Sequence, residues 1–278
     1  MYTALHYLRA IFVASTLVMT QSACSVPNDV RNESSSGYDF MAAQIIRAAV
    51  TVKVEDVFYL GAIEIGKLAD AAGHGDTKQM QRLVAQGVPV NGVGQRAMTP
   101  LLWALGQRNM AGFRWLLDHG ADPNLVTCCD IRNSKLSPMN LAAAIEDSQY
   151  LQALLDHGGD ANLVTDDVER TPIFSAVSFR RINNIELLAQ HHANLNQVEL
   201  DDITVMAFGH TPLQHALDSS QFEVALALLR AGANPCVKDR SGHTAMSGMV
   251  GRANSGTTQK DREAFPQIVE YLKKYTCN

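Results

Sequence analysis

LLDHGADPNLV, Leu116–Val126, is written a second time as LLDHGGDANLV, Leu154–Val164. Nine of the eleven letters agree, 38 positions apart, which makes the stretch part of a repeat. Two marks keep its beat. The openings are Thr99-Pro100, Ser137-Pro138, Thr171-Pro172, Thr211-Pro212 and Thr244-Ala245. The closing phrases are QGVPVN (Gln86–Asn91), HGADPN (His119–Asn124), HGGDAN (His157–Asn162), HHANLN (His191–Asn196) and AGANPC (Ala231–Cys236). Each mark recurs every 33 to 40 residues. Proline is tolerated in the first turn of a helix, where its missing N–H has no partner to lose, and Thr or Ser before it can cap the free amides. In AGFRWLLDH, Phe113, Leu116 and Leu117 share one helix face. Gly120 and Gly158 stand where a helix stops in a left-handed residue, and the Asn beyond suits the turn into an extended hairpin. One such unit cannot bury its apolar face alone, but stacked neighbours can.

These openings, TPLLWAL, SPMNLAA, TPIFSAV and TPLQHAL, resemble the ankyrin repeat, whose period is about 33 and whose opening is T-P-L-H-x-A. An earlier unit lacks the opening but keeps the middle, LADAAGHGDTKQMQRLVAQG (Leu68–Gly87). The resemblance implies an all-α ankyrin-repeat solenoid of helix–turn–helix units with short β-hairpin loops, over residues 66–278 including a C-terminal cap. Residues 40–65 are expected to form an N-terminal capping segment, with a helix at Phe40–Ala49. At the other end a polar insertion, Gly251–Ala264, precedes a final helix in FPQIVEYLKKY, with Lys273 and Lys274 near its end.

The N-terminus is different in kind. Arg9, the apolar run Ile11–Met19 and the small residues Ser22 and Ala23 follow one another as in an exported signal peptide, and the run is too short to span a bilayer. Ser22-Ala23-Cys24 resembles the end of a bacterial lipoprotein signal, although Gln21 stands where that family usually has Leu. The resemblance implies a signal peptide at 1–23, lipidation of Cys24, and a lipid anchor in the cell envelope. With Ser25 after the cysteine, it points to the outer membrane, facing the periplasm. Ordinary cleavage near Ser22 or Ala23 is the other reading. Residues 24–39 are Ser-rich and polar and read as a tether.

Composition narrows the function. Basic residues number 23 and acidic 28, for a net charge of −5, so there is no electrostatic footprint for nucleic acid. Catalytic signatures are missing: no G-x-S-x-G, H-E-x-x-H, phosphate loop or C-x-x-C occurs, and neither a cofactor nor a catalytic residue is assigned. His119, His157 and His191 recur at one place in the repeat, which implies a repeated structural task near a helix C-terminus; no metal site is expected. Of the cysteines other than Cys24, Cys128 and Cys129 are adjacent, so a bond between them would be strained. Cys236 and Cys277 are either a disulfide pinning the final helix or free thiols.

The departures from the beat carry the functional expectation. Two hairpin regions are enlarged, VTCCDIRNSKL (Val126–Leu136) and QVELDDITVMAFGH (Gln197–His210). The second mixes Glu199, Asp201 and Asp202 with Ile203, Val205, Met206 and Phe208, and the tip between the two adds Asp166, Asp167 and Glu169. Apolar anchors among charges are the composition of a protein contact. Ankyrin stacks use hairpin tips and first-helix faces for partners, so these ten residues are the expected contact set. The overall make-up resembles that of lipoproteins that protect cells from delivered toxins. It implies an immunity protein against a type VI secreted envelope toxin such as a phospholipase. An accessory protein for a resident periplasmic enzyme is the alternative.

Overall fold

The computed structural model describes residue 59 and residues 61–94, 97–128, 135–165, 171–199, 209–247, 258–275 and 277. The expected signal peptide, Cys24, the tether and all of the capping segment before Tyr59 lie outside the described residues. So do nine of the ten expected contact residues, all but Glu199.

Eleven helices lie among the described residues, ten of them in five pairs. The pairs are α1 (Ile63–His74) with α2 (Thr77–Ala85), α3 (Pro100–Gly106) with α4 (Met110–Asp118), and α5 (Pro138–Ala144) with α6 (Gln149–Asp156). Then come α7 (Pro172–Ser178) with α8 (Ile182–Gln190), α9 (Pro212–Asp218) with α10 (Phe222–Arg230), and last α11 (Gln259–Leu272). The first helices α1, α3, α5, α7 and α9 pack on one another in chain order, and the second helices follow behind them. This is the helix-pair solenoid expected from the repeat.

Local chemistry sets each pair. Thr99 Oγ1 accepts from the Leu102 amide at 3.1 Å, and Ser137 Oγ accepts from Asn140 at 3.4 Å. Thr211 does the same for Gln214, whose side chain accepts in return from the Thr211 amide. Within four pairs the chain turns through one left-handed residue, Gly75, Arg108, Arg180 or Ser220. Each second helix then stops at another: Gly87, Gly120, Gly158, His192 or Gly232. His192 holds φ 62° without glycine's freedom. At Gly112 a side chain is excluded for a different reason, since a Cβ there would fall on the Ala72 carbonyl of α1.

The main core is the row of inward faces. Phe113, Leu116, Leu151, Leu154, Ile185, Leu188, Leu228 and Leu229 are all fully buried. Each such side chain stabilises the fold by about 1.5–3 kcal/mol through area removed from water. Phe113 meets Tyr150 edge-on at 5.2 Å, joining α4 to α6.

Polar groups fix the register between units. Asn91 donates to the Gly120 carbonyl at 3.0 Å and accepts from the Asp122 amide at 2.8 Å. Asn124 repeats this with Gly158 and Asp160, and Asn162 with His192 and Asn194. Asn196 accepts from Asn234 at 2.8 Å. The closing asparagine therefore reaches forward to the next unit, where the sequence suggested a local turn. The recurrent histidines cap helix ends: His119 Nδ1 lies 2.8 Å from the Trp115 carbonyl and His157 Nδ1 lies 2.7 Å from that of Ala153. In the third unit α5 ends in an extended Ile145, and Asn184 of α8 donates to the Ala143 and Ile145 carbonyls that this leaves open.

The C-terminal helix starts earlier than expected. Thr258 and Asp261 form a capping box, so residues 259–264 of the expected insertion are helical. Asp261 is fully buried. Its oxygens accept from Arg180 Nη2 at 2.7 Å, from Thr258 and from the Glu223 amide, which fastens α11 to two other helix pairs. Cys236 and Cys277 are joined by a disulfide that closes a sequence separation of 41 residues. Cys128 is also disulfide-bonded, to a partner outside the described residues.

Three outcomes follow from these ties. Asn162→Ala removes two bonds between units at a solvent-accessible site and should lower the unfolding free energy by about 1–2 kcal/mol in urea titration. Arg180→Gln leaves the Asp261 carboxylate buried without its cation and should cost about 3 kcal/mol by the same measurement. His157 bonds acceptors through both ring nitrogens, Asp118 at 3.0 Å and the Ala153 carbonyl, and only the protonated ring donates twice. Its pKa is accordingly raised, first by Asp118 and then by that carbonyl. The raised folded value means that this bridge contributes fully below about pH 6.5 and is lost as pH rises through it. The stability difference between wild type and Asp118→Asn should therefore shrink from pH 6 to pH 9. A difference independent of pH would contradict it.

Candidate protein-binding surface

The hairpins start from closed stems. Three residues beyond each closing Asn, or Cys236, stand Gly94, Thr127, Thr165, Glu199 and Asp239. Four of these five are buried polar residues. Gly94 N donates to Met98 O at 2.8 Å and Asp239 N to His243 O at 2.8 Å. Thr127 and Leu136 exchange two backbone bonds at 2.9 Å, and Thr127 Oγ1 also donates to the Ala97 carbonyl at 2.6 Å. Glu199 N donates to His210 O at 3.1 Å. Both enlarged hairpins, 126–136 and 197–210, are thus pinned at their bases.

This placement corrects one expected contact. Glu199 is 7% exposed, and its carboxylate lies 3.8 Å from His215 Nδ1. It occupies the stem register with Thr127, Thr165 and Asp239, so its carboxylate serves the base of the hairpin and not its tip. Asp166, Asp167, Glu169, Asp201, Asp202, Ile203, Val205, Met206 and Phe208 lie outside the described residues.

One residue before the stem, the chain places a valine in four successive units: Val93, Val126, Val164 and Val198. Val93 is 48% and Val164 49% exposed; Val126 and Val198 are half-buried. β-branched residues repeated at one register, two of them exposed and two half-buried, make an apolar row beside the hairpins. Their signal was present in the sequence as Asn-x-Val, repeated on the beat of the units, but it reads as core until the Asn is seen to face the next unit. Around this row the asparagines and Asp122 and Asp160 spend hydrogen bonds on the backbone, which holds the row at fixed spacing.

No catalytic constellation accompanies it among the described residues. No three His, Cys, Asp or Glu side chains gather as a metal site there. A concavity of about 380 Å³ lies between α10 and α11, lined by Leu226, Arg230, Pro266 and Tyr271 among others. Its polar ends are engaged, Arg230 with Gln267 at 3.0 Å and the Tyr271 hydroxyl with the Leu229 carbonyl at 2.8 Å. None of this pairs a nucleophile with a base. No helix among the described residues is long and apolar enough to cross a membrane.

Comparison with known proteins agrees with this geometry. Residues 139–239 match a family model described as ankyrin repeats (3 copies), and residues 98–128 match the ankyrin repeat. No curated protein sequence matches the chain. Among solved structures the chain is similar to the crystal structure of the ankyrin repeat domain of Bcl-3, described as a unique member of the IkappaB protein family. The TM-score is 0.59 at 22% identity, over 74% of this chain and 85% of that one, which is a likeness of fold alone. The described residues are an all-α ankyrin-repeat solenoid, an architecture that generally mediates protein–protein binding and typically serves as a non-enzymatic scaffold.

Proposed function

We propose that this ankyrin-repeat chain is a periplasm-facing lipoprotein, anchored in the outer membrane through Cys24, that binds and neutralises one protein. The occupant is a type VI secreted, envelope-targeting toxin such as a phospholipase, and the chain acts as the immunity protein. The observation that carries the binding surface is the row Val93, Val126, Val164 and Val198 beside two enlarged hairpins on closed stems. An apolar row offers desolvated anchors, and the acids of the hairpin tips in the sequence supply a rim for a basic surface. Support for the envelope setting comes from Ser22-Ala23-Cys24 after an apolar run, and from the Cys236–Cys277 bond, which suits an oxidising compartment. Anchoring would hold the inhibitor at the surface where such a toxin arrives and raise its effective concentration there.

The test is capture. The chain lacking residues 1–24 is immobilised and exposed to secreted and envelope proteins of its own strain. A bound enzyme whose lipid-hydrolysing activity falls on binding is the expected result. A resident enzyme whose activity holds or rises would replace immunity with an accessory role. Against the captured partner, Val164→Asp and the double change Asp201→Lys with Asp202→Lys should each weaken binding about 10-fold or more, with the thermal melt unchanged. Unaltered affinity in both would remove the hairpin row from the contact. Metabolic palmitate labelling should mark wild type and not Cys24→Ser.

A further inference from the structure

The fifth unit ends the valine row with a different residue. The position that holds Val93, Val126, Val164 and Val198 in the earlier units holds Lys238 after Cys236, and Lys238 is exposed. Alternation along the stem explains why this position faces outwards. Leu163 packs against the main core and Thr165 is buried, so Val164 between them turns to solvent. Thr127, Glu199 and Asp239 are buried in the same way beside Val126, Val198 and Lys238. The surface at this register is therefore four aliphatic residues, one per unit, and then one cation.

Spacing decides what such a row receives. The first helices of neighbouring units pack side by side, and packed helices lie about 8–10 Å apart. A partner must present side chains on one face with that period. An extended strand presents them every second residue, about 6.8 Å apart, and after three residues it shows its other face. A polyproline helix repeats every three residues, about 9.3 Å, but such segments dock in aromatic-lined grooves. No aromatic residue stands at this register or next to it in the chain. An α-helix returns to the same face after seven residues, a rise of about 10.5 Å with a drift of only about 20°. Its side chains four residues after each of these fall between the valines. The period of the row is that of a helix crossing the units one heptad at a time.

We propose that the partner segment received by this surface is an amphipathic α-helix with apolar residues at heptad spacing, laid from Val93 towards Lys238 with its C-terminal end at the lysine. Lys238 sets the direction, because the carbonyl end of a helix carries partial negative charge and is stabilised by a cation. From Val93 to Lys238 the helix crosses four steps, about 32–40 Å, which takes about 21–27 residues. The closed stems fix the anchors before binding, so the helix meets a preformed ridge and little ordering opposes it. The inference rests on the valine row being the contact surface, and not on which protein carries the helix.

The probe is a synthetic fluorescein-labelled peptide of about 27 residues. It carries leucine at every seventh position and four residues after each, lysine and glutamine elsewhere, and two glutamates at its C-terminus. A comparator has the same composition with leucine at alternate positions. Fluorescence anisotropy against the full chain should show the heptad peptide bound about tenfold or more tightly than the comparator. Val164→Asp should weaken the heptad peptide about tenfold with the thermal melt unchanged. Lys238→Glu should weaken it about threefold at low salt, and lysines in place of the peptide's C-terminal glutamates should restore that loss. Equal affinity for the two peptides, both lowered by Val164→Asp, would overturn the helix and leave the row as a contact. Affinities that ignore Val164→Asp would overturn the contact reading as well. Benzoyl-phenylalanine in place of Val93 tests direction: crosslinks to the N-terminal half of the heptad peptide support it, and crosslinks to the C-terminal half overturn it.

Discussion

No unit of this chain can bury its own apolar stripe, and every other feature answers to that constraint. Leu116 and Leu154 have the same neighbours in sequence because they have the same task, facing a core that exists only when the next unit is in place. Burial is non-directional, though, and does not by itself hold one unit in register with the next. Direction comes from Asn91, Asn124 and Asn162. Each donates to the carbonyl of the left-handed residue ending the following second helix and accepts from an amide two residues beyond. A slipped unit would orphan both groups. The asparagine thereby couples the stop of one helix to the start of the hairpin before it.

That coupling divides labour along each hairpin. The stem residues Thr127, Thr165, Glu199 and Asp239 are buried and spend their polar atoms inside the fold. The residue just before is valine in four units. A partner surface in this architecture needs rigid spacing more than it needs any single strong contact, because ordering loops on binding is costly. Pinned stems meet that need.

Much of this was legible in the sequence, and the failures have physical reasons. Pairs of helices, their proline starts and their glycine stops follow from residue types with narrow conformational tastes. His192 broke the glycine rule yet keeps the left-handed stop, because the beat of neighbouring units over-determines it. Glu199 was misread because charge suggests a tip, whereas its register says stem; only alignment of Gly94, Thr127, Thr165 and Asp239 with it separates the two. The early start of α11 was written in Thr258 and Asp261, the S/T-x-x-D/E pattern of a capping box, but a polar composition hid it. Asn184 bridging to α5 could not have been foreseen. It compensates a helix that ends without a left-handed residue, and that ending depends on packing between units.

A linear stack frays from its ends, since terminal units have one neighbour where the others have two. The C-terminal end is held by ties of different kinds. The Cys236–Cys277 bond shortens the free chain, the Arg180–Asp261 pair reaches across from α7 and α8, and the Tyr271 hydroxyl holds the Leu229 carbonyl of α10. At the N-terminal end the described residues offer packing instead, with Tyr59 set into the cluster of α1, α3 and α5. The two ends are therefore held by different physics: covalent and ionic ties fix α11 at one, and burial holds Tyr59 and Leu102 at the other, where Leu136 at the base of the first enlarged hairpin joins the same cluster.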